Sequence, residues 1–303
     1  MSRTPRTYYI LPLIPLLWGF NVVAARVAML EIHPAWGAFL RFSIALVLYL
    51  LVLRRIPQLT PFPLYLLLAV TGVAGFNLLL FWGIRLAAAT DAAVISAVYP
   101  LTVALVHAGW FRQRLPLPIV LGIVVSGIGV VVLTLGHATA SPGNTEDQRI
   151  LGDILLLCAA LSWGVYSTAM TIATSQRAPL EVTAGTIFLG VLLLSPIALS
   201  APFPSPDVSL RAWSGLLYIA IGGSFAAFAL WSHVLSKLPA STVAPILNGT
   251  PVVALLASVL LLDKHLMFSD FMGIVLVFAG VLYAQITGFR QRQRLKECPS
   301  CLS

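Results

Sequence analysis

The sequence predicts an all-α integral membrane protein of ten transmembrane helices, arranged as two inverted five-helix repeats. Three observations carry that prediction. Of 303 residues, 59% are hydrophobic and only 9% charged, with a mean hydropathy of +0.96, whereas soluble domains are about 25% charged. Apolar runs of membrane-spanning length, about 17–25 residues, follow one another almost without gaps. The two halves of the chain also repeat each other's motifs. Strands are disfavoured, because barrel strands are short and alternating whereas these runs are long and continuous.

The predicted spans are 8–29, 34–53, 62–85, 91–111, 117–136, 152–174, 180–201, 212–236, 240–262 and 269–289. The eighth and ninth are divided only by "SKLPAS". The first has the basic start of a signal peptide, but its apolar run is too long for one and leads into further spans. Residues 137–151, "HATASPGNTEDQRIL", form the longest hydrophilic insertion and read as an exposed linker. The chain thus divides into a first repeat, 1–136, that linker, a second repeat, 152–289, and a basic tail, 290–303.

A net charge of +8 would point to a polyanionic partner until the charges are placed. With a cytoplasmic N-terminus and alternating spans, Arg3, Arg6, Arg54, Arg55, Arg112, Arg114, Arg177, Lys237 and the tail's Arg290, Arg292, Arg294 and Lys296 lie inside. Only Arg26, Arg85, Arg149, Arg211 and Lys264 lie outside, and Arg41 falls within a span. The excess is the positive-inside pattern, with both termini cytoplasmic and the linker extracytoplasmic. No nucleic-acid partner is expected; membrane lipid is. Cys158 stands alone in the sixth span, and Cys298 and Cys301 supply half of a zinc ligand set on the reducing side. No metal or other cofactor is expected.

Trp18-Gly19 is answered by Trp163-Gly164, and "FNLLLFW", 76–82, by "FAAFALW", 225–231. Pro100 is answered by Pro251, and Gly122 and Gly129 by Gly273 and Gly280. The seven-residue spacing keeps each glycine pair on one helix face, where neighbouring helices can approach closely. Five spans is an odd number, so the second half enters the membrane from the opposite side. Many secondary transporters use such inverted repeats to alternate access around a midplane site.

The stretch "WGFNVVAARVAMLEIHPAWGAFLRFSIALVLYLL" resembles the opening of EamA-type members of the drug/metabolite transporter superfamily, through Trp18, Gly19, Asn21, Arg26, Pro34, Arg41 and Phe42. The mid-helix prolines and the glycine-rich fifth and tenth helices are similar too, so the resemblance covers residues 8–289. It implies a carrier of small metabolites in a bacterial inner membrane, working outward. It also implies a central cavity lined by the first, third, fourth, sixth, eighth and ninth helices. The family often has a glutamate after the fourth and ninth helices; Arg112 and Asp263 stand there in this chain, so no role for that acid is carried over.

Trp18, Tyr99, Trp163 and Asn248 fall near mid-span, where polar and broad aromatic groups are costly against lipid. Trp18 with Asn21, Trp163 with Tyr166, Ser96 with Tyr99, and Phe225 with Phe228 are i,i+3 pairs, and Asn77 with Phe81 is i,i+4. These residues are the candidate substrate-binding set, with interhelical packing as the alternative. Abundant rings and few fixed charges suit amino acids or amphipathic drug-like solutes. Pro100 and Pro251 each remove a backbone hydrogen bond near mid-span. They are the candidate gating residues, or else tolerated kinks. Arg26 and Arg41 either snorkel outward as anchors or capture a substrate carboxylate. His107 and His233, near cytoplasmic ends, are either solvated or carry a coupling proton.

Other classes fare worse. No H-E-x-x-H and no pair of mid-span acids is present. His233 lies nine residues beyond the serine of "GGSF", on the opposite helix face. No catalytic residue is therefore expected. A non-transporting sensor or scaffold would want a soluble output domain, and no loop is long enough to hold one. The chain is expected to act as a monomer or homodimer on a small-molecule substrate.

Overall fold

The structure is a computed structural model that describes residues 4–87, 89–135, 145–262 and 267–297. All regular structure among them is helical. In the first half, α1 (Thr4–Ile10) is separated by Leu11 and Pro12 from α2 (Leu13–Met29), because proline cannot donate the backbone hydrogen bond that would continue the helix. Next, α3 (Pro34–Leu53) starts with proline at its first position and with the His33 imidazole accepting from the Ala35 amide at 3.3 Å. The third pass has three parts: α4 (Phe62–Leu68), a π-helical segment (Ala69–Ala74) and α5 (Gly75–Leu86). Then come α6 (Ala89–Trp110) and α7 (Leu117–Leu135).

The second half opens with α8 (Glu146–Gln176) and α9 (Pro179–Leu199). Its third pass again has three parts: α10 (Leu210–Tyr218), a second π-helical segment (Ile219–Ala226) and α11 (Ala227–Leu235). A short α12 (Ala240–Val243), a 3₁₀ segment (Ala244–Asn248) and α13 (Gly249–Leu262) make the next pass, and α14 (Phe268–Glu297) the last. Eight helical passes are long and apolar enough to cross a membrane. Among the described residues α6 and α7 contribute shorter apolar stretches, Ala97–Trp110 and Leu117–Val132. Leu51, Leu105, Ile128, Leu192, Val275 and Leu282 are among the large apolar side chains facing outward. Lipid in place of water makes that arrangement stable.

The halves repeat each other in space as they do in sequence. The two π segments immediately precede or overlap the matching "FNLLLFW" and "FAAFALW" stretches. In both, side chains take up carbonyls that the wider turns release. Thr71 donates to Leu67 O at 2.6 Å and Ser224 to Ile219 O at 2.9 Å. Helices α7 and α14 lie antiparallel in close contact. A methyl group on Gly122 would sit 2.7 Å from Gly280 O, and one on Gly129 would sit 2.8 Å from Gly273 O. The glycine faces expected from the sequence thus meet each other.

Four boundaries differ from expectation. Helix α8 begins inside the expected linker, at Glu146, because Thr145 and Gln148 form a reciprocal capping box. Helix α14 continues through the expected tail to Glu297. The first span is divided at Pro12. No break forms at Pro100, which α6 carries as an internal proline, since one missing donor leaves the flanking turns intact. In the other half the irregular stretch is Ala244–Asn248, and Pro251 follows it in the first turn of α13. A first-turn proline costs little, because its N–H would have no helical partner. Pro245, Gly249 and Pro251 lie within seven residues of one another, and that density of helix-weakening residues is what α6 lacks.

Candidate functional site

The centre of the molecule is a cluster of rings contributed by both halves. Trp18 of α2 and Trp163 of α8 meet edge to face, with centroids 5.4 Å apart. Phe228 and Trp231 of α11 complete the cluster: Trp18 lies 6.1 Å from Phe228 and 5.7 Å from Trp231. Trp163 stacks on Trp231 at 6.2 Å. Tyr166 packs on Trp163 at 5.0 Å, as does Phe76, which in turn touches Tyr99. Edge-to-face and offset geometries of this kind add to the stabilisation from burial alone.

Around the rings, each half grips the π segment of the other. The indole of Trp18 donates to Gly223 O at 3.2 Å, and Ser162 of α8 donates to Thr71 O at 2.9 Å. Gly223 faces the Asn21 amide, while Gly72 faces the Tyr166 ring, each too close for any side chain larger than hydrogen. Asn21 and Tyr166 each stand three residues beyond the repeated tryptophan, so these contacts are equivalents across the repeat. Tyr49 of α3 donates to Phe225 O at 2.6 Å and packs its ring on Phe225. Arg41 donates from Nε to Ser224 Oγ at 2.8 Å. Residues 223, 224 and 225 are thus each held by a polar side chain of α2 or α3.

Of the residues singled out from the sequence, Trp18, Tyr99, Trp163, Tyr166 and Phe228 come together in or beside the ring cluster. Next to it, Asn21 of α2 lies against the second π segment, of which Phe225 is part. Asn77 spends its amide on Val73 O of its own helix at 2.6 Å, and Asn248 donates to Ser126 Oγ at 2.7 Å. Phe81 packs against the core without joining the rings. The Ser96 side chain lies outside the described residues. The Asn21 oxygen and the Tyr166 hydroxyl are buried without hydrogen-bond partners among the described residues. His107 is buried against Phe111, whereas His233 is exposed. Arg26 is exposed as an anchor would be, but Arg41 does not snorkel: it is only 7% exposed.

The rings fill the space where an open cavity was expected. A groove of about 330 Å³ lies instead between α2, α10 and the end of α13, lined by Val23, Val27, Arg211, Tyr218 and Leu261 among others. Trp231, Phe76, Tyr49 and Ser224 were not foreseen. Only Trp231 carried a usable signal, its i,i+3 spacing from Phe228. Two polar ties join the halves at the ends of the bundle. Arg55 and Arg177 both donate to Glu181, at 3.0 and 3.4 Å. Glu31 accepts from the Ser209 amide at 2.6 Å and its hydroxyl at 2.7 Å. Those two bonds, the amide's foremost, hold the exposed Glu31 carboxyl below the ordinary carboxylate range.

A polytopic helical bundle of two matching halves, with its broad aromatic and polar groups gathered at their junction, defines a membrane carrier fold. The sequence matches the model of the EamA-like transporter family twice, over residues 7–135 and 150–284, and the chain belongs to that family. It is 24% identical over 276 residues to an uncharacterized transporter, YetK, of Bacillus subtilis (strain 168), covering 88% of this chain and 83% of that one. It is 26% identical to a probable amino-acid metabolite efflux pump of Escherichia coli (strain K12), over 94% and 96% of the two chains. A solved crystal structure superposes with a TM-score of 0.82 at 21% identity, over 96% of this chain and 99% of the other. The protein is a multi-pass membrane transporter of this type, and its family and relatives are transporters rather than enzymes.

Proposed function

We propose that the protein exports small amphipathic metabolites, amino acids foremost, from a bacterial cytoplasm by alternating access. The chain crosses the inner membrane ten times as two inverted five-helix repeats, with both termini cytoplasmic. The observation that carries this reading is the contact of Trp18 with Trp163 at the junction of the repeats. Equivalent residues of two oppositely oriented halves meet there, where a midplane substrate site would lie. The path is lined by Trp18, Asn21, Tyr99, Trp163, Tyr166, Phe225 and Phe228, with Asn77, Phe81 and Asn248 further from the centre. The ring cluster parts to admit the solute. Pro100 and Pro251, together with the π segments, are where the helices bend as it does. The relatives named as amino-acid metabolite efflux pumps in Escherichia coli and in Salmonella typhimurium (strain LT2) support the substrate class.

The test is efflux from proteoliposomes loaded with a panel of amino acids, with and without a pH gradient. Saturable efflux of at least one neutral amino acid, slowed in Trp163→Phe, is the expected result. Rates equal to those of empty liposomes across the panel would remove the amino-acid reading.

A further inference from the structure

We propose that Arg41 is the carboxylate-binding residue of the transport path, which therefore takes a monocarboxylate with an apolar body. This rests on the reading of the ring cluster as the path. Arg41 lies seven residues into α3, about 10 Å along the helix. It is buried, and its interactions among the described residues are two: the bond to Ser224 Oγ and a stacking contact with the Phe42 ring, 4.6 Å from guanidinium carbon to ring centre. Neither partner carries charge. The Ser224 hydroxyl is already donating to Ile219 O, so it offers only a lone pair.

A guanidinium has five N–H donors, and one is used here. The two terminal nitrogens keep the planar fork that grips a carboxylate with two parallel bonds. Burying such a cation without an anion is costly, and an arriving carboxylate offsets that cost. In contrast, Arg55 and Arg177 share Glu181, so this chain pairs basic groups with acids where it needs only a tie.

The position of Arg41 assigns it to the path. It holds Ser224, while the adjoining Gly223 and Phe225 hold Trp18 and Tyr49. The Phe42 ring beneath it lies 5.8 Å from Phe228 of the cluster. A carboxylate on Arg41 therefore places the rest of the solute against rings. One cation suits a single negative charge better than a phosphate dianion. The buried Asn21 oxygen lies against Gly223, the residue next to Ser224, and lacks a donor among the described residues. That oxygen repels a second anionic group and welcomes an amine, the head-group pattern of a zwitterionic amino acid.

The probes are phenylacetate and phenylacetamide, which differ in charge but share the apolar body. Binding to the purified full chain is followed by quenching of tryptophan fluorescence. Wild-type protein is expected to bind the acid about tenfold or more tightly than the amide. Arg41→Gln should bind both alike, and Arg41→Lys should keep part of the preference. Equal behaviour of the two probes in wild type, including binding of neither, overturns the assignment whether or not the variants fold. Such a failure leaves amino-acid export standing. Conversely, an acid preference without efflux of any amino acid keeps the site and removes the export reading.

Discussion

Replacing Gly129 by alanine tests the packing that joins the two halves. Its methyl group would lie 2.6 Å from Val277 N and 2.8 Å from Gly273 O, where ordinary contact begins at 3.4 Å. The shortfall is about 0.8 and 0.6 Å against backbone atoms, which no side-chain rotation can relieve. Helices α7 and α14 must separate by a similar amount, and overpacking on this scale costs about 1–3 kcal/mol. Gly127, two residues earlier on the same helix, is the control: its added methyl would meet Ala97 O at 3.6 Å, in ordinary contact. Both substitutions gain the same helix propensity, up to about 1 kcal/mol, so the difference between them isolates the clash. The apparent melting temperature of detergent-solubilised protein, read by the size-exclusion peak that survives heating, is expected to drop by several degrees in Gly129→Ala and to hold or rise in Gly127→Ala. Equal melting temperatures would refute the close α7–α14 contact and, with it, the reciprocal glycine faces.

Trp163 is 5% exposed and touches five other rings, so Trp163→Ala should destabilise the protein by about 3–5 kcal/mol. Trp163→Phe should cost much less and still slow efflux; a phenylalanine variant with wild-type kinetics would leave these rings as packing alone. For Glu31, whose carboxyl is lowered by Ser209, the linked stabilisation is present above the ordinary carboxylate pKa and is lost as pH falls through the lowered one. Protection of the α10 start against hydrogen exchange should therefore fall off below about pH 4.5 in wild type only, with Glu31→Gln showing a pH-independent, weaker tie; matching profiles would exclude the carboxylate as its cause.

Lipid as solvent made much of this protein legible in its sequence. It demands long apolar runs, and those runs located the helices to within a few residues over most of the chain. It makes polar and aromatic repeats stand out, which is how Trp18, Asn21, Trp163 and Tyr166 could be paired before any contact was known. The same uniform greasiness hid the rest. In a span that is apolar all round, periodicity carries little information on which face turns inward, so Phe76 looked like its lipid-facing neighbours. The π segments arise where a glycine must fit against a side chain of the opposite half, Gly72 under Tyr166 and Gly223 under Asn21. Arg41 read as either a snorkelling anchor or a carboxylate ligand, because its partner, Ser224, lies 183 residues away. Burial depends on what packs from elsewhere in the chain, and only the assembled bundle decides that a charge near a helix end stays inside.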